Sequence, residues 1–203
     1  MRAVLVYGIG VLAVLAMAIA SRPAPSPVPS TVSLTGPMTL PTDYRSSFIE
    51  YAVVDRPDGI TRTLYISPES FAALQRGEPL PNGTRIVIEA FAGTPNDQGQ
   101  LVAGDMIPFI HMAEKRESWR LDELHTSAKV GDWNFASFES DTGVPSDPNT
   151  PGENLNDCFT CHDSNASPTR DFIFTRRDID LFANTKTPQY ILCNQPERIP
   201  CRF

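Results

Sequence analysis

The five residues Cys158-Phe159-Thr160-Cys161-His162 constrain this chain more tightly than any other stretch. Two thiols at C-x-x-C spacing, with an imidazole directly after the second, suit covalent attachment of haem. The thiols add to the two vinyl groups, and His162 reaches the iron from one face as the proximal metal ligand. Its other ring nitrogen is then expected to be held by a carbonyl or a carboxylate. The cofactor this pattern implies is a single covalently bound haem c with its iron; the protein contributes axial ligation, polarity and access. The rest of the chain has to supply the other face.

The start of the chain points to export. Arg2 precedes an uncharged apolar run from Ala3 to Ala20, which ends in Ala18-Ile19-Ala20-Ser21, the small-residue spacing of a signal-peptidase site. The run is also about long enough to cross a bilayer, roughly 18 residues being the lower limit. Residues 1–20 are read as a cleaved signal peptide or a retained N-terminal membrane anchor, and either places the body in the periplasm. Residues 21–39, rich in Pro, Ser and Thr and without apolar periodicity, read as a linker. The folded body is expected over residues 40–203, about 160 residues and enough for a hydrophobic core. A net charge of −7 argues against nucleic acid, which needs a basic stripe. The acidity reads as a solvated surface or as a docking face for a basic redox partner.

Within the body, Thr42 and Asp43 can cap a short helix through Tyr44 to Phe48. Thr61 to Ile66 has the branched and aromatic content of a strand. Ser67-Pro68-Glu69 opens a helix that Gly77 can end. After the turn signal Pro81-Asn82-Gly83, residues Thr84 to Phe91 alternate with the period of a strand. Met106 to Met112 and Trp133 to Phe138 are further strand candidates. Asp141 to Asn156 reads as a long loop leading to the cysteines, Asp171 to Thr175 as extended, and Ile179 to Ala183 as a helical turn. The order predicts a single α+β domain: a mostly antiparallel sheet with a few short helices, carrying its cofactor near the C-terminus.

Zinc and a redox dithiol are the rivals for the cysteine string. Structural zinc needs four ligands from two close pairs, whereas Cys193 and Cys201 are eight apart. A thioredoxin-like dithiol expects a βαβ context early in its domain, and this string follows a long loop late in the chain. In an oxidising compartment Cys193 and Cys201 are best paired with each other. Such a bridge contributes roughly 2.5 kcal/mol on the chain-entropy account. For the far face of the haem, the candidates are His111 and His125 together with Met106 and Met112. His125 sits in a polar stretch and reads as surface. His111, between Ile110 and Met112, reads as a core histidine, a distal-pocket group or an axial ligand.

Several stretches, taken together, resemble the cytochrome P-460 family and its non-crosslinked branch, the cytochromes c′-beta. They are LPTDYR (Leu40 to Arg45), RTLYISPESFAALQRGE and LPNGTRIVIE (Arg62 to Glu89), GDWNFASF (Gly131 to Phe138), CFTCH and DFIFT (Asp171 to Thr175). The resemblance implies a mostly antiparallel β fold, usually a homodimer, with one c-type haem and the motif histidine proximal. In the P-460 branch a lysine after the Pro-x-Gly turn bonds to the haem ring, and the modified haem oxidises hydroxylamine. Ile88 stands at the matching position here and cannot form that bond. In the c′-beta branch the position is apolar and shields the iron, which Ile88 and its same-face partner Ile86 fit. Arg62 opens one matched stretch and is read as a distal donor, a partner for a haem propionate or a surface residue.

An apolar lid over a five-coordinate iron disfavours water and admits a small neutral diatomic such as nitric oxide. Three functions follow. The first is an exported haemoprotein that binds nitric oxide or a similar small ligand. The second is an oxidoreductase acting on hydroxylamine or another nitrogen compound, with His111 as base. The third is an electron-transfer cytochrome exchanging electrons with a periplasmic donor or acceptor, in which His111, Met106 or Met112 is the sixth ligand.

Overall fold

A computed structural model describes residues 35–124, 129–147, 155–166 and 168–193, all within the unit Thr31–Phe203. Residues 1–34, His125 and Cys201 lie outside the described residues, so the leader and the Cys193–Cys201 pairing do too. Six strands form one sheet: β1 (Ile49–Asp55), β2 (Ile60–Ile66), β3 (Arg85–Pro95), β4 (Leu101–Lys115), β5 (Trp133–Glu139) and β6 (Gln189–Leu192). Around it lie helices α1 (Tyr44–Ser47), α2 (Pro68–Gln75), α3 (Leu155–Asn165) and α4 (Arg176–Thr185). The strand order is β5-β4-β3-β2-β1-β6. Neighbours from β1 to β5 run antiparallel, and only β6 joins β1 in parallel. The chain is therefore α+β, with a mostly antiparallel sheet and short helices. Among the described residues no helix is long and apolar enough to cross a membrane.

Local sequence explains the hairpins. Gly59, at φ +79°, closes the β1–β2 turn, where Arg56 N–H donates to the Ile60 carbonyl at 2.8 Å. A left-handed backbone there suits a residue without a Cβ. Pro68 sits in the first turn of α2, with Glu69 near the positive end of the helix dipole.

Both faces of the sheet are covered, and this decides what the strands look like. On one face, Leu64, Ile66, Ile86 and Phe135 pack with Phe159 of α3 and with Ile179 and Phe182 of α4. On the other, Val87, Ile110, Met112 and Phe138 enclose Met38 and Tyr44. A strand buried on both sides loses the apolar–polar alternation: six consecutive residues of β5 are buried, from Trp133 to Phe138. Packing also reaches back before the expected start of the body, since Met38 is fully buried and Gly36 N–H donates to Glu123 at 2.8 Å.

Several elements differ from expectation. Strands β1 and β6 were not expected: β1 pairs with β2 across the Pro57-Asp58-Gly59 turn, and β6 joins β1 in parallel from far along the chain. Strand β4 begins at Leu101, five residues before the apolar run, because Thr94 and Pro95 of β3 pair with Val102 and Leu101. Asp171 to Thr175 is not extended. A 3-10 turn over Pro168–Arg170 leads into left-handed Asp171 and Phe172, because its aromatic residues turn inward to pack instead of joining a strand.

Buried carboxylates tie the sheet together. Glu89, 2% exposed, accepts from Tyr44 Oη, from Tyr65 Oη at 3.1 Å and from Arg45 Nε at 2.5 Å. The same surroundings push both tyrosine hydroxyls well above the ordinary phenol range, burial being the larger cause and Glu89 the next. Glu114 is wholly buried between Arg85 Nε at 3.1 Å and Arg116 Nε at 2.7 Å. Removing its charge leaves the buried Arg116 without its nearest anion. Glu114→Gln is expected to lower stability by about 3 kcal/mol, read as a fall in the urea midpoint at unchanged m-value.

Candidate functional site

Helix α3 carries the cysteine string on the face turned towards the sheet. Between that helix, the Ile173–Thr175 segment and strands β1 to β5 lies a cavity of about 320 Å³. It is lined mainly by apolar groups. Cys158, Cys161 and His162 form one side; Ile86, Ile88, His111 and Arg62 line it from the sheet. These seven residues, singled out from distant parts of the sequence, thus border the same space. His125 lies outside the described residues.

Strand register explains the meeting. Leu64, Ile88, His111 and Ser137 stand opposite one another across four strands. The neighbouring row holds Ile66, Ile86, Ala113 and Phe135. Side chains two apart on a strand share a face, so Ile86, Ile88, His111 and Phe135 all turn towards α3. Met106 falls on the other side, where its sulfur is 3.9 Å from the Arg45 guanidinium, and it does not line the cavity. Met112, one residue from His111, borders the cavity but packs its side chain into the opposite core.

His162 is held on three sides. Its Nδ1 lies 2.6 Å from the Phe172 carbonyl, and a carbonyl can only accept, so Nδ1 carries the proton. That leaves the lone pair on Nε2. The ring sits 4.4 Å from Phe135 and 4.7 Å from Phe174, centroid to centroid. Burial lowers the imidazole pKa, partly offset by the Phe172 bond. A neutral, oriented imidazole is the form that binds a metal. Tyr51 Oη and Thr175 Oγ1, 2.8 Å apart, fasten the end of the Ile173–Thr175 wall to β1.

Arg62 is the unusual polar group. Its Nε is buried with no hydrogen-bond partner. Burial and then the neighbouring Arg56 push the guanidinium pKa down to about 10. A cation with a buried, unbonded N–H carries a cost, and one that faces a cavity suits a bound group bearing negative charge. The residues therefore fit haem: two thiols outside any disulfide, an oriented imidazole, an apolar space, and a cation for a propionate.

The sequence alone did not single out Phe135, Phe174 or Phe172 as members of the site. The first two lie within the stretches GDWNFASF and DFIFT, where their aromatic character was the available signal. The Phe172 carbonyl has no side-chain signature at all.

The cytochrome P460 family profile matches residues 41–175, about two thirds of the chain. No curated protein matches the sequence. The matched family is one of haem proteins that bind small ligands or act on nitrogen compounds. The chain belongs to the cytochrome P460 family.

The aromatic packing around His162 yields a prediction. Phe135 also meets Phe159 edge-on at 5.3 Å, so it bridges the sheet, α3 and the imidazole. Phe135→Ala is expected to cost about 3–4 kcal/mol of stability, measured by chemical denaturation.

Proposed function

We propose that this chain is an exported, periplasmic c-type cytochrome whose haem binds nitric oxide or a similar small neutral ligand. Cys158 and Cys161 would hold the haem through thioether bonds, and His162 Nε2 would bind its iron. When bound, the haem supplies an iron with one open coordination position. Everything else in the function is done by the chain's own residues.

The observation that carries the reading is the apolar wall of Ile86, Ile88 and Leu64 across the cavity from His162. Aliphatic side chains offer water no hydrogen bond, so water is a poor sixth ligand beside them and a neutral diatomic is favoured. Ile88 stands at the position of the crosslinking lysine in the P-460 branch, and an alkyl side chain cannot bond to the haem ring. Arg62 would pair with a propionate, which would relieve the cost of burying its unbonded Nε. Homodimer formation and exchange of electrons with a periplasmic partner belong to the same proposal.

A second reading, an oxidoreductase acting on hydroxylamine or a related nitrogen compound, is favoured by one observation. His111 lines the same cavity and stands directly across from Ile88 in the β3–β4 pairing. An imidazole there could take a proton from a substrate held beside the iron.

Purified protein should gain the mass of one haem, show a five-coordinate high-spin spectrum, and take up nitric oxide or carbon monoxide when reduced. It should lack the red-shifted ferrous band of a crosslinked haem. Replacing both thiols, Cys158→Ser with Cys161→Ser, should abolish covalent haem; retained covalent haem would sink the attachment reading. A low-spin spectrum indifferent to nitric oxide would point instead to electron transfer. Steady hydroxylamine turnover that disappears in His111→Ala would establish the enzyme.

A further inference from the structure

Asp171 and Phe172 are consecutive residues in the left-handed region, at φ +54° and +57°. Residues with a Cβ resist that conformation because it crowds the following carbonyl. It persists only where the surroundings over-determine it, and it clusters at functional sites. Here the result of the turn is to aim the Phe172 carbonyl at His162 Nδ1, 2.6 Å away.

Three contacts hold the turn. Lys115 Nζ donates to Asp171 Oδ2 at 2.7 Å, in a pair that is largely shielded, with side chains 13% and 26% exposed. Gly131 gives room to the Phe172 ring: a Cβ added there would stand 2.7 Å from Phe172 Cε2. The preceding 3-10 turn contributes Asp171 N–H to the Pro168 carbonyl at 3.0 Å, and Ile173 N–H bonds the Arg170 carbonyl at 3.1 Å. Lys115, Asp171, Gly131 and Phe172 do not line the cavity.

We propose that Lys115, Asp171 and Gly131 are positioning residues that clamp the Phe172 carbonyl onto His162 and thereby set the strength of the proximal iron–histidine bond. This rests on the reading that His162 ligates a haem iron. A firm N–H···O=C bond makes the imidazole a stronger electron donor, and ligand basicity is one of the levers by which a protein sets a haem potential. Without the ion pair, the turn relaxes towards ordinary backbone angles and the carbonyl leaves Nδ1. Lys115 and His111 lie on the same face of β4, four residues apart, so one strand bears both the far wall of the cavity and the anchor of the near ligand.

Resonance Raman spectra of the reduced, haem-loaded protein, with its reduction potential, test the proposal. Lys115→Met and the nearly isosteric Asp171→Asn are each expected to move the iron–histidine stretch to lower frequency and to raise the potential, at full covalent haem content. Lys115→Arg, which keeps the charge, should return the stretch towards its wild-type position. Glu78→Gln removes the exposed Arg76–Glu78 pair, which does not border the cavity, and should leave the stretch in place. An unshifted stretch and potential in both Lys115→Met and Asp171→Asn would overturn the clamp while leaving His162 as ligand. A wild-type protein without an iron–histidine stretch would overturn the ligand assignment, and the clamp with it.

Discussion

The register of β3 between β2 and β4 underlies both cores. In β3, Ile86 and Ile88 face the cavity while Val87 and Glu89 face the opposite core. A slip of one residue would exchange these sets. Glu89 would enter the apolar space, and Ile88 would meet Tyr44, Arg45 and Tyr65, which now hydrogen-bond a carboxylate. Both exchanges are costly, because the carboxylate would leave three donors for a mainly apolar space and those donors would lose their acceptor. The polar cluster on one face therefore keeps the cavity wall in place on the other.

Helix α3 and the segment after it complete the site from the other side. The thiols and the imidazole arrive together because they share a helix, but the imidazole's orientation comes from outside it. Phe135 reaches it from β5, Phe174 from the following segment, and the Phe172 carbonyl from a left-handed turn. Arg62 sits across the sheet with a buried Nε that has no partner. The domain thus holds a cation in a mainly apolar cavity whose lining also includes Asp157.

Much of this was legible in the residues. The alternation from Thr84 to Phe91, Pro68 at the start of α2 and Gly77 at its end were local signals, and local rules read them well. Strand β6 was not legible, because it depends on a neighbour distant in sequence; Ala52 to Asp55 pair with Gln189 to Leu192. Strand β1 was missed although Pro57-Asp58-Gly59 marks its turn into β2. The stretch from Asp171 to Thr175 misled. Its aromatic and branched residues have strand composition, yet they spread around His162 and Phe135, and no partner strand is there to receive them. Among the candidate ligands, Met106 and His111 looked alike as members of one apolar run. They separate in the fold because they lie five apart on β4, an odd spacing that turns their side chains to opposite faces of the sheet.

The chemistry of the site was written in the sequence: two cysteines, a histidine and an isoleucine in the strand after Pro81-Asn82-Gly83 are properties of side chains and short spacings. Family membership follows from the same level. The tertiary structure alone decided which of these groups share a cavity, which nitrogen of His162 carries its proton, and that Lys115 reaches Asp171 to hold the turn beside it. The physical reason is that hydrogen-bond partners and strand neighbours are chosen by packing between segments far apart in the chain. Composition and local periodicity carry no information about that choice.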